Sequence, residues 1–518
     1  MVAKILILII FFAVMILVGV RASKKVTGVN DFVMGGRSIG PWMTAFSYGT
    51  SYFSAVIFIG YAGQFGWKFG IASTWIGIGN AVVGCMMAWV ILGRRTRIMT
   101  NHLNSSTMPD FFGKRYNSKA LKIVASAIAF IFLIPYTASV YNGLSKLFSI
   151  AFDVPYAACI IGMAVLTGVY VILGGYMATS MNDFIQGIIM LVGIVAVIFS
   201  VLSGQGGFTE AIKSLAQVTG PETAEQPGVF ASFFGPDPGS LLGVVILTSL
   251  GTWGLPQMVG KFYAIKSETS IKTGTIVSTF FAIIIGGGSY FLGGFGRLFG
   301  GEGASFINAD GSVAFDGIIP EMLQTSLGNI EVFGDILIGI VVVLVLSASM
   351  STLSALVLTS SSTLTLDLIK DNIVKDMSQK KQLVIMRIMV VFFIVVSVVI
   401  ALDPPTFIAQ LMGISWGALA GSFLAPFLYG LYWKKVTKPA VWASFICGVG
   451  ITVSNLFIGF TSPINAGAAA MIAGLIVVPV VSLITKTSNA AVINHTNSIF
   501  ECYSSKVTVD NTKQLSND

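Results

Sequence analysis

The sequence predicts an all-α polytopic membrane protein, and three observations support this prediction. Of the 518 residues, 55% are hydrophobic and only 10% are charged, whereas soluble domains carry about 25% charged residues. Apolar runs of about 20 residues, each long enough to cross the hydrocarbon core of a bilayer as a helix, recur along the whole chain. The basic residues fall mostly in short segments between these runs. These features exclude a water-soluble fold.

Thirteen membrane spans are predicted from the apolar runs and the residues that interrupt them. The first run is interpreted as a retained span and not as a signal peptide. No A-x-A-like cleavage site follows it, and the chain continues into Lys24 and Lys25. The predicted spans are 3–21, 42–62, 71–92, 122–144, 155–174, 184–203, 240–259, 273–295, 335–359, 384–402, 407–432, 439–459 and 467–485.

The basic residues predict the orientation of the chain, because cytoplasmic loops carry an excess of Lys and Arg. We expect the protein in the plasma (inner) membrane. Thirteen alternating spans would then put the N-terminus outside and the C-terminus in the cytoplasm. All but five of the 30 Lys and Arg residues are then cytoplasmic. The net charge of +8 is therefore interpreted as a topology signal, and we expect membrane lipid and not nucleic acid as a partner. The five exceptions are Lys4, Lys68, Lys146, Lys213 and Arg297.

A single membrane domain is predicted over residues 1–486, and a polar cytoplasmic tail over 487–518. The tail is rich in Asn, Ser and Thr and is expected to be disordered. It is too short for a separate signalling domain, which disfavours a membrane-embedded sensor. A channel is disfavoured because no repeated filter motif or ring-forming charged helix is visible.

Two of the predicted spans are interrupted. Residues 44–62 contain a patch of hydroxyl side chains and Gly within an apolar run, and residues 248–259 contain Gly251, Gly254 and Pro256. These are the second and seventh spans, so they cross the membrane in opposite directions. Broken helices in opposite orientation are typical of inverted five-plus-five repeats, in which they meet near the middle of the bilayer.

Nothing in the sequence indicates an enzyme. His102 and His495 both fall outside the predicted spans, and no HExxH, GxSxG or P-loop pattern occurs. The four cysteines lack CxxC spacing, so we expect packing residues and no disulfide or metal role. They are Cys85, Cys159, Cys447 and Cys502.

Hydroxyl side chains cluster in the ninth span. Ser347, Ser351 and Ser354 are spaced i, i+4 and i+7 and therefore share one helical face, which Thr352 borders. Such oxygens, with carbonyls freed by a broken helix, could replace the water shell of a small hard cation such as Na⁺. Alternatively, the hydroxyls bond carbonyls one turn back or join neighbouring helices. The pattern alone leaves both interpretations open.

Four motifs resemble those of the sodium/solute symporter family, which includes sodium/proline, sodium/pantothenate, sodium/sialic acid and sodium/glucose transporters. The resemblance covers about residues 5–485. Its motifs are Asp31-Phe32-Val33-Met34-Gly35-Gly36-Arg37-Ser38, Thr107-Met108-Pro109-Asp110-Phe111-Phe112, Gly174-Gly175-Tyr176-Met177-Ala178 running into Asp183 and Gln186, and Met350-Ser351-Thr352-Leu353.

This resemblance implies a LeuT-type five-plus-five inverted repeat with an extra N-terminal helix. The second to sixth spans would then form one repeat and the seventh to eleventh the other, in agreement with the two interrupted spans. The implied parts are a leading helix at 3–21, a first repeat at 42–203, a second repeat at 240–432 and two additional helices at 439–485. The implied activity is sodium-coupled import of a small organic solute by alternating access.

The resemblance also implies a Na⁺ site, with Na⁺ as the ion that the protein requires. Backbone oxygens of Thr50, Phe53 and Ala348 and side-chain oxygens of Ser351 and Thr352 would coordinate the ion.

For Asp183 the resemblance implies a role in the cytoplasmic exit path of the ion. A juxtamembrane acid at the water line is the alternative. Arg37 is related to transport in the family, but an ordinary topology-setting charge is an equal alternative.

The solute is expected beside the ion, between the second, fourth, seventh, ninth and eleventh spans. Aromatic rings supply apolar area with polar edges, while hydroxyl and amide groups can orient a carboxylate or an amine. Core packing is the alternative for each residue taken singly. The candidate residues are Ser51, Tyr52, Ser54, Tyr136, Trp253, Gln257 and Trp416.

The solute itself stays open. Proline transporters have an acidic residue where this chain has Tyr52, and the turn at Gly254, Leu255 and Pro256 is more similar to the pantothenate branch. A carboxylate such as pantothenate, an amino acid such as proline, and a sugar or sialic acid therefore remain alternatives. The sequence does not determine the oligomeric state, and a monomer is compatible with it.

The predicted topology can be tested with single cysteines introduced into a background that lacks the native ones. Cysteines in the loop 204–239 should react with a membrane-impermeant thiol reagent added to intact cells. Cysteines in 370–381 should react only after the membrane is permeabilised. Labelling of the second group from outside would reject the thirteen-span arrangement.

Overall fold

The computed structural model describes residues 2–504 except 25, 153, 221–222, 224–225, 302, 329–333, 375–376 and 487–488. Within these residues the regular structure is helical, apart from two isolated β-bridges, Ile39 with Ile265 and Ile307 with Val313. The α-helices are α1 Val2–Ser23, α2 Val29–Met34, α3 Pro41–Tyr52, α4 Ala62–Phe69, α5 Thr74–Gly79, α6 Arg94–His102, α7 Met108–Arg115, α8 Lys119–Phe152, α9 Tyr156–Gly204, α10 Phe208–Gln217, α11 Pro238–Gly254, α12 Pro256–Ala264, α13 Thr269–Ala282, α14 Gly288–Gly293, α15 Ile318–Gly328, α16 Gly334–Thr363, α17 Lys370–Asn372, α18 Gln379–Leu402, α19 Ile408–Tyr432, α20 Lys438–Ile458, α21 Pro463–Ile484 and α22 Ala490–Phe500.

Several of these helices continue into one another through wider π-helical turns, in which the hydrogen bond spans five residues. These turns join α-helical pieces into longer apolar rods. They lie at Val56–Tyr61, Asn80–Met87, Trp89–Gly93, Ile283–Gly287 and Leu364–Ile369.

Ten helices in the described part of the chain are long and apolar enough to cross a membrane, or eleven if the bent pair α11 and α12 counts as one span. Two of the ten run over 47 and 49 residues, Val56–His102 and Tyr156–Gly204. At about 1.5 Å per residue, each is roughly twice as long as a bilayer core of about 30 Å requires. The predicted number of thirteen spans is not confirmed. It is reached only if each long run counts as two spans and the bent pair counts as one.

A glycine with positive φ interrupts each of the two long runs. Gly70 has φ 61° and ψ −142°, and Gly175 has φ 50° and ψ −143°, a conformation that side chains with a Cβ rarely adopt. At Gly70 an added Cβ would lie 2.1 Å from the carbonyl oxygen of Phe230, so space as well as conformation requires glycine. The helical path is interrupted at both positions, and each lies between two neighbouring spans predicted from the sequence.

Both interrupted spans predicted from the sequence are broken in the structure. Helix α3 ends at Tyr52, and Phe53 has the non-helical angles φ −95° and ψ 84°. Helices α11 and α12 meet at Leu255 with a bend of 46°. Pro256 explains this bend, because proline lacks an N–H donor and disfavours helical angles in the residue before it. The boundaries of the two repeats stay a prediction.

Burial distinguishes the helices at the centre from those at the periphery. Within the most apolar 18-residue window of each helix, 94% is buried in α16 and 89% in α19, against 22% in α1 and 28% in α18. A peripheral helix leaves apolar side chains for lipid, whereas a central helix is covered by protein on all sides. Helix α16 carries the predicted hydroxyl cluster, so that cluster lies at the centre of the bundle.

Basic side chains gather at one end of the bundle, which we call the basic end. They include Arg37, Arg95, Arg97, Arg115 and Lys122, which contact α6, α7 and the ends of α12 and α19. The tail folds onto this end: α22 and Tyr503 pack against it, so the expected disorder is wrong for residues 489–504. The guanidinium of Arg95 lies 4.1 Å from the ring centroid of Tyr432 and 4.6 Å from that of Tyr503. Cation–π contacts and buried apolar rings hold a segment whose polar composition suggested no packed structure. Residues 505–518 lie outside the described part.

Candidate functional site

The predicted ion-binding residues meet where α3 breaks beside α16. The Ser351 hydroxyl donates a hydrogen bond to the carbonyl of Thr50 (3.0 Å) and to that of Ala348 (3.2 Å). The Thr352 hydroxyl lies 3.3 Å from the Thr50 carbonyl, 3.4 Å from that of Ser51 and 3.1 Å from that of Ala348. All these residues are fully buried or nearly so. Four of the five predicted residues thus form one cluster of oxygens.

The break in α3 explains why these carbonyls are available. The last carbonyls of a helix have no partner within the helix, and a buried one must find another donor. Thr50 and Ser51 lie in the last turn of α3, and their carbonyls face the hydroxyls of α16. The fifth predicted residue, Phe53, lines a small cavity of about 10 Å³ together with Ala348 and Ser54.

Aromatic rings adjoin this oxygen cluster. The ring centroid of Trp416 on α19 lies 6.1 Å from that of Tyr52 and 5.8 Å from that of Tyr136. The Tyr52 hydroxyl donates to the carbonyl of Thr248 (2.6 Å), so Tyr52 also links α3 to α11. Gly251 on α11 allows Trp416 to approach, because an added Cβ would lie 2.3 Å from its Cε3 atom.

The seven predicted solute-binding residues have different surroundings in the structure. Ser51 and Ser54 flank the break in α3, close to Tyr52. The Trp253 indole donates to the carbonyl of Val83 (3.0 Å), in the π-helical segment that packs on α11. Gln257 lines a separate cavity of about 40 Å³ nearer the basic end. The break and the aromatic rings bring five of the seven candidates together, whereas Trp253 bonds the π-helical segment and Gln257 lines a cavity of its own.

Asp183 is fully buried in α9, which argues against the alternative of a juxtamembrane acid at the water line. Ser47 on α3 donates a hydrogen bond to its Oδ2 atom. The ammonium of Lys261 on α12 lies 3.6 Å from the same oxygen and 2.7 Å from the Ser47 hydroxyl. Lys261 is not among the site residues predicted from the sequence. The signal was available, because Lys261 is a single charge within the apolar segment that follows Pro256.

Arg37 is a structural link as well as a charge. Its guanidinium donates to the carbonyls of Thr100 (3.1 Å), Ser105 (2.6 Å) and Tyr263 (3.2 Å). Burial, with a smaller contribution from the neighbouring Arg97, lowers the pKa of Arg37 to about 10, so it stays charged at neutral pH. A charge that only set topology would need no such partners. Arg37 joins the segment before α3 to α6, to the loop that follows α6 and to the end of α12.

A second polar network lies at the basic end, on the motif that begins at Thr107. The Thr107 hydroxyl caps α7 by accepting from the N–H of Asp110 (3.1 Å) and donates to Asp367 (2.6 Å). Lys122 lies 3.1 Å from Asp110 and 3.3 Å from Asp367. These charges line a cavity of about 600 Å³. The network joins α7 and α8 to the π-helical continuation of α16, which the sequence alone did not indicate.

The family model of the sodium:solute symporter family matches residues 32–448. The chain is 29% identical over 486 residues to the osmoregulated proline transporter OpuE of Bacillus subtilis, covering 92% of this chain and 94% of that protein. It is 30% identical over 512 residues to a sodium/proline symporter of Staphylococcus aureus, covering 95% and 94%.

Solved structures share the fold at low sequence identity. A Na⁺-coupled sialic acid symporter in a substrate-bound, outward-open state matches with a TM-score of 0.72 and 16% identity, over 94% of this chain and 99% of that one. MhsT in complex with L-phenylalanine matches with a TM-score of 0.52 and 14% identity, over 85% and 98%. These neighbours have the LeuT-type fold predicted from the family resemblance.

The match extends over most of the chain and over its fold, and it agrees with the broken helices described above. Members of this family are transporters and not enzymes. Na⁺ serves as their coupling ion. The chain belongs to the sodium:solute symporter family and is a multi-pass membrane protein that carries a solute together with Na⁺.

Proposed function

We propose that this protein imports a small carboxylate-bearing solute, with proline as the first candidate, and holds Na⁺ at the break in α3. The observation that carries the proposal is the convergence of the Ser351 and Thr352 hydroxyls on the Thr50 carbonyl. The named relatives, which are proline transporters, support the choice of solute. Pantothenate is the second candidate, because Tyr52 stands where proline transporters have an acidic residue.

The proposed Na⁺ ligands are the carbonyls of Thr50, Phe53 and Ala348 and the hydroxyls of Ser351 and Thr352. The described oxygen pairs are 3.0–3.3 Å apart. Such spacings suit neighbouring ligands of a cation with metal–oxygen distances of about 2.3–2.6 Å, the range of Ca²⁺, which has nearly the size of Na⁺. Each hydroxyl would turn its proton away and offer a lone pair when the ion binds.

The solute would bind beside the ion, against Tyr52, Tyr136 and Trp416 and between the hydroxyls of Ser51 and Ser54. The Ser51 hydroxyl is buried and has no hydrogen-bond partner among the described residues. A buried polar group without a partner is costly, so a solute that supplies one gains affinity. Aromatic faces would enclose an apolar ring such as that of proline.

Transport would follow from alternating exposure of this central site to the two sides of the membrane. Na⁺ moves down its gradient, and the membrane potential adds about 2.3 kcal/mol per charge per 100 mV. We place the basic end in the cytoplasm of a plasma-membrane protein, with the N-terminus outside, because Lys and Arg are retained on that side. Since one chain supplies every proposed ligand, a monomer surrounded by lipid is sufficient.

The ion site can be tested by removing its two hydroxyls. A hydrogen bond to a charged group contributes about 1.5–3 kcal/mol, and 1.4 kcal/mol corresponds to one decade. Ser351→Ala and Thr352→Ala should therefore each weaken Na⁺ affinity by roughly ten- to a hundredfold, and the double change should remove the Na⁺ dependence of solute binding. Binding by the purified protein, measured over a range of Na⁺ concentrations, provides the test.

Ser349→Ala is the matched control for these variants. The Ser349 hydroxyl lies in the same helix but bonds the Val345 carbonyl one turn back (2.7 Å). Its removal should leave Na⁺ affinity within about twofold of the wild type. Wild-type Na⁺ stimulation in the double mutant, or an equal effect of Ser349→Ala, would show that the hydroxyls only join helices.

The solute can be identified by uptake into cells that lack their own proline and pantothenate transporters. We expect uptake of labelled proline that rises with Na⁺ and is not stimulated when K⁺ or choline replaces Na⁺. Pantothenate and sialic acid, each measured with and without Na⁺, test the alternatives. Uptake of pantothenate with no uptake of proline would move the assignment to the pantothenate branch.

The aromatic wall can be tested at Gly251. A Cβ there would displace the Trp416 ring, and overpacking of this kind costs about 1–3 kcal/mol. Gly251→Ala should weaken solute affinity by about five- to a hundredfold and change Na⁺ affinity, measured without solute, much less. Gly162→Ala on α9 is the control, since an added Cβ there meets no described heavy atom within 4 Å and Gly162 lines none of the cavities described above. Unchanged solute affinity in Gly251→Ala would remove Trp416 from the binding site.

A further inference from the structure

Lys261 is a buried cation for which the proposed ion and solute sites give no role. Its side chain is 2% exposed, and its partner Asp183 is 1% exposed. Removing two charges from water is costly, and their mutual attraction often only balances that cost. A pair of apolar side chains would stabilise the contact between α9 and α12 equally well. A charged pair at this depth in a membrane protein is therefore a functional candidate.

The pair lies next to the proposed ion site, on the side of the basic end. Ser47, which contacts both charges, precedes Thr50 and Ser51 by three and four residues in α3, so all three share one helical face. The Oδ1 atom of Asp183 is buried and has no hydrogen-bond partner among the described residues. An ion that leaves the Thr50 carbonyl toward the basic end thus meets an acidic group with an unused oxygen.

The Gln257 amide offers the ammonium of Lys261 a second hydrogen-bonding position. Lys261 and Gln257 line the same cavity of about 40 Å³, and they are four residues apart on one face of α12. The amide of Gln257 is buried, and neither its oxygen nor its nitrogen has a hydrogen-bond partner among the described residues. The Tyr176 ring lies 5.3 Å from the Lys261 ammonium and would stabilise the cation in either position.

We propose that Lys261 is a tethered cation that competes with Na⁺ for Asp183 and thereby promotes release of the ion. This inference rests on the proposed Na⁺ site. While Na⁺ is near Asp183, repulsion moves the ammonium toward the Gln257 amide oxygen. When Na⁺ leaves, the ammonium returns to the carboxylate and to Ser47 and fills the place that the ion would otherwise re-enter. Lys261 is a positioning residue, because it acts through Asp183.

The inference predicts opposite effects for two substitutions in α12. Lys261→Gln removes the competing cation, so Na⁺ should bind the purified protein at least about tenfold more tightly without solute. The maximal rate of uptake should fall because release slows. Gln257→Leu removes the second hydrogen-bonding position, holds the ammonium at Asp183 and should weaken Na⁺ binding by about threefold or more. Lys261→Arg keeps the charge and should stay closer to the wild type than Lys261→Gln.

A double-mutant cycle tests whether Lys261 acts through Asp183. In an Asp183→Asn background, adding Lys261→Gln should change Na⁺ affinity by less than about twofold. This double variant contains neither charge and so avoids an unpaired buried carboxylate, which keeps the test available if Lys261→Gln does not fold. Lys266→Gln is the matched control, because it removes an exposed positive charge from the same segment and should leave Na⁺ affinity unchanged.

The outcomes separate this inference from the proposed function. If the wild type binds Na⁺ and Lys261→Gln binds it equally or more weakly, the tethered cation is wrong and the Na⁺ site stands. An equal effect of Lys261→Gln with and without Asp183 would also overturn it, as would tighter Na⁺ binding in Gln257→Leu. If Ser351→Ala with Thr352→Ala leaves wild-type Na⁺ binding intact, the proposed site itself is wrong.

Discussion

The need to satisfy every backbone hydrogen-bonding group inside a bilayer determines how this protein is built. No water is available in the hydrocarbon core, so a helix can be interrupted only where other parts of the protein replace the lost bonds. At the end of α3 the hydroxyls of Ser351 and Thr352 on α16 face the carbonyls of Thr50 and Ser51. The same oxygens that stabilise the break are the ones proposed to hold an ion.

The break between α11 and α12 is caused by a proline and also places side chains at the centre of the bundle. Pro256 prevents a continuous helix, and the bend of 46° lets α11 and α12 contact different neighbours. Helix α11 packs against the aromatic rings at Gly251, whereas α12 carries Lys261 to Asp183. The two breaks divide the centre of the bundle into a side with aromatic walls, where we propose the solute, and a side with oxygens and buried charge, where we propose the ion.

These central features are linked to the basic end through side chains on several elements. Arg37 contacts α6, the loop that follows it and the end of α12, and Asp367 joins the continuation of α16 to Thr107 and Lys122. The helix that carries the proposed ion ligands is thereby tied to loops near a cavity of about 600 Å³. A change in these polar contacts is a physical means by which the centre and the basic end can move together.

The sequence alone determined the membrane class, the two broken helices and the hydroxyl face of the ninth span, whereas the full set of oxygen-cluster residues was implied by the family resemblance. Apolar runs, proline, glycine and hydroxyl spacing act within one helix and are readable from the order of residues. Contacts between helices are not readable in this way, because they depend on how each helix is rotated and where it crosses its neighbours. Only the tertiary structure decided that Asp183 is buried against Lys261, that Trp253 bonds Val83 while Gln257 shares a cavity with Lys261, and that the polar tail packs on Arg95.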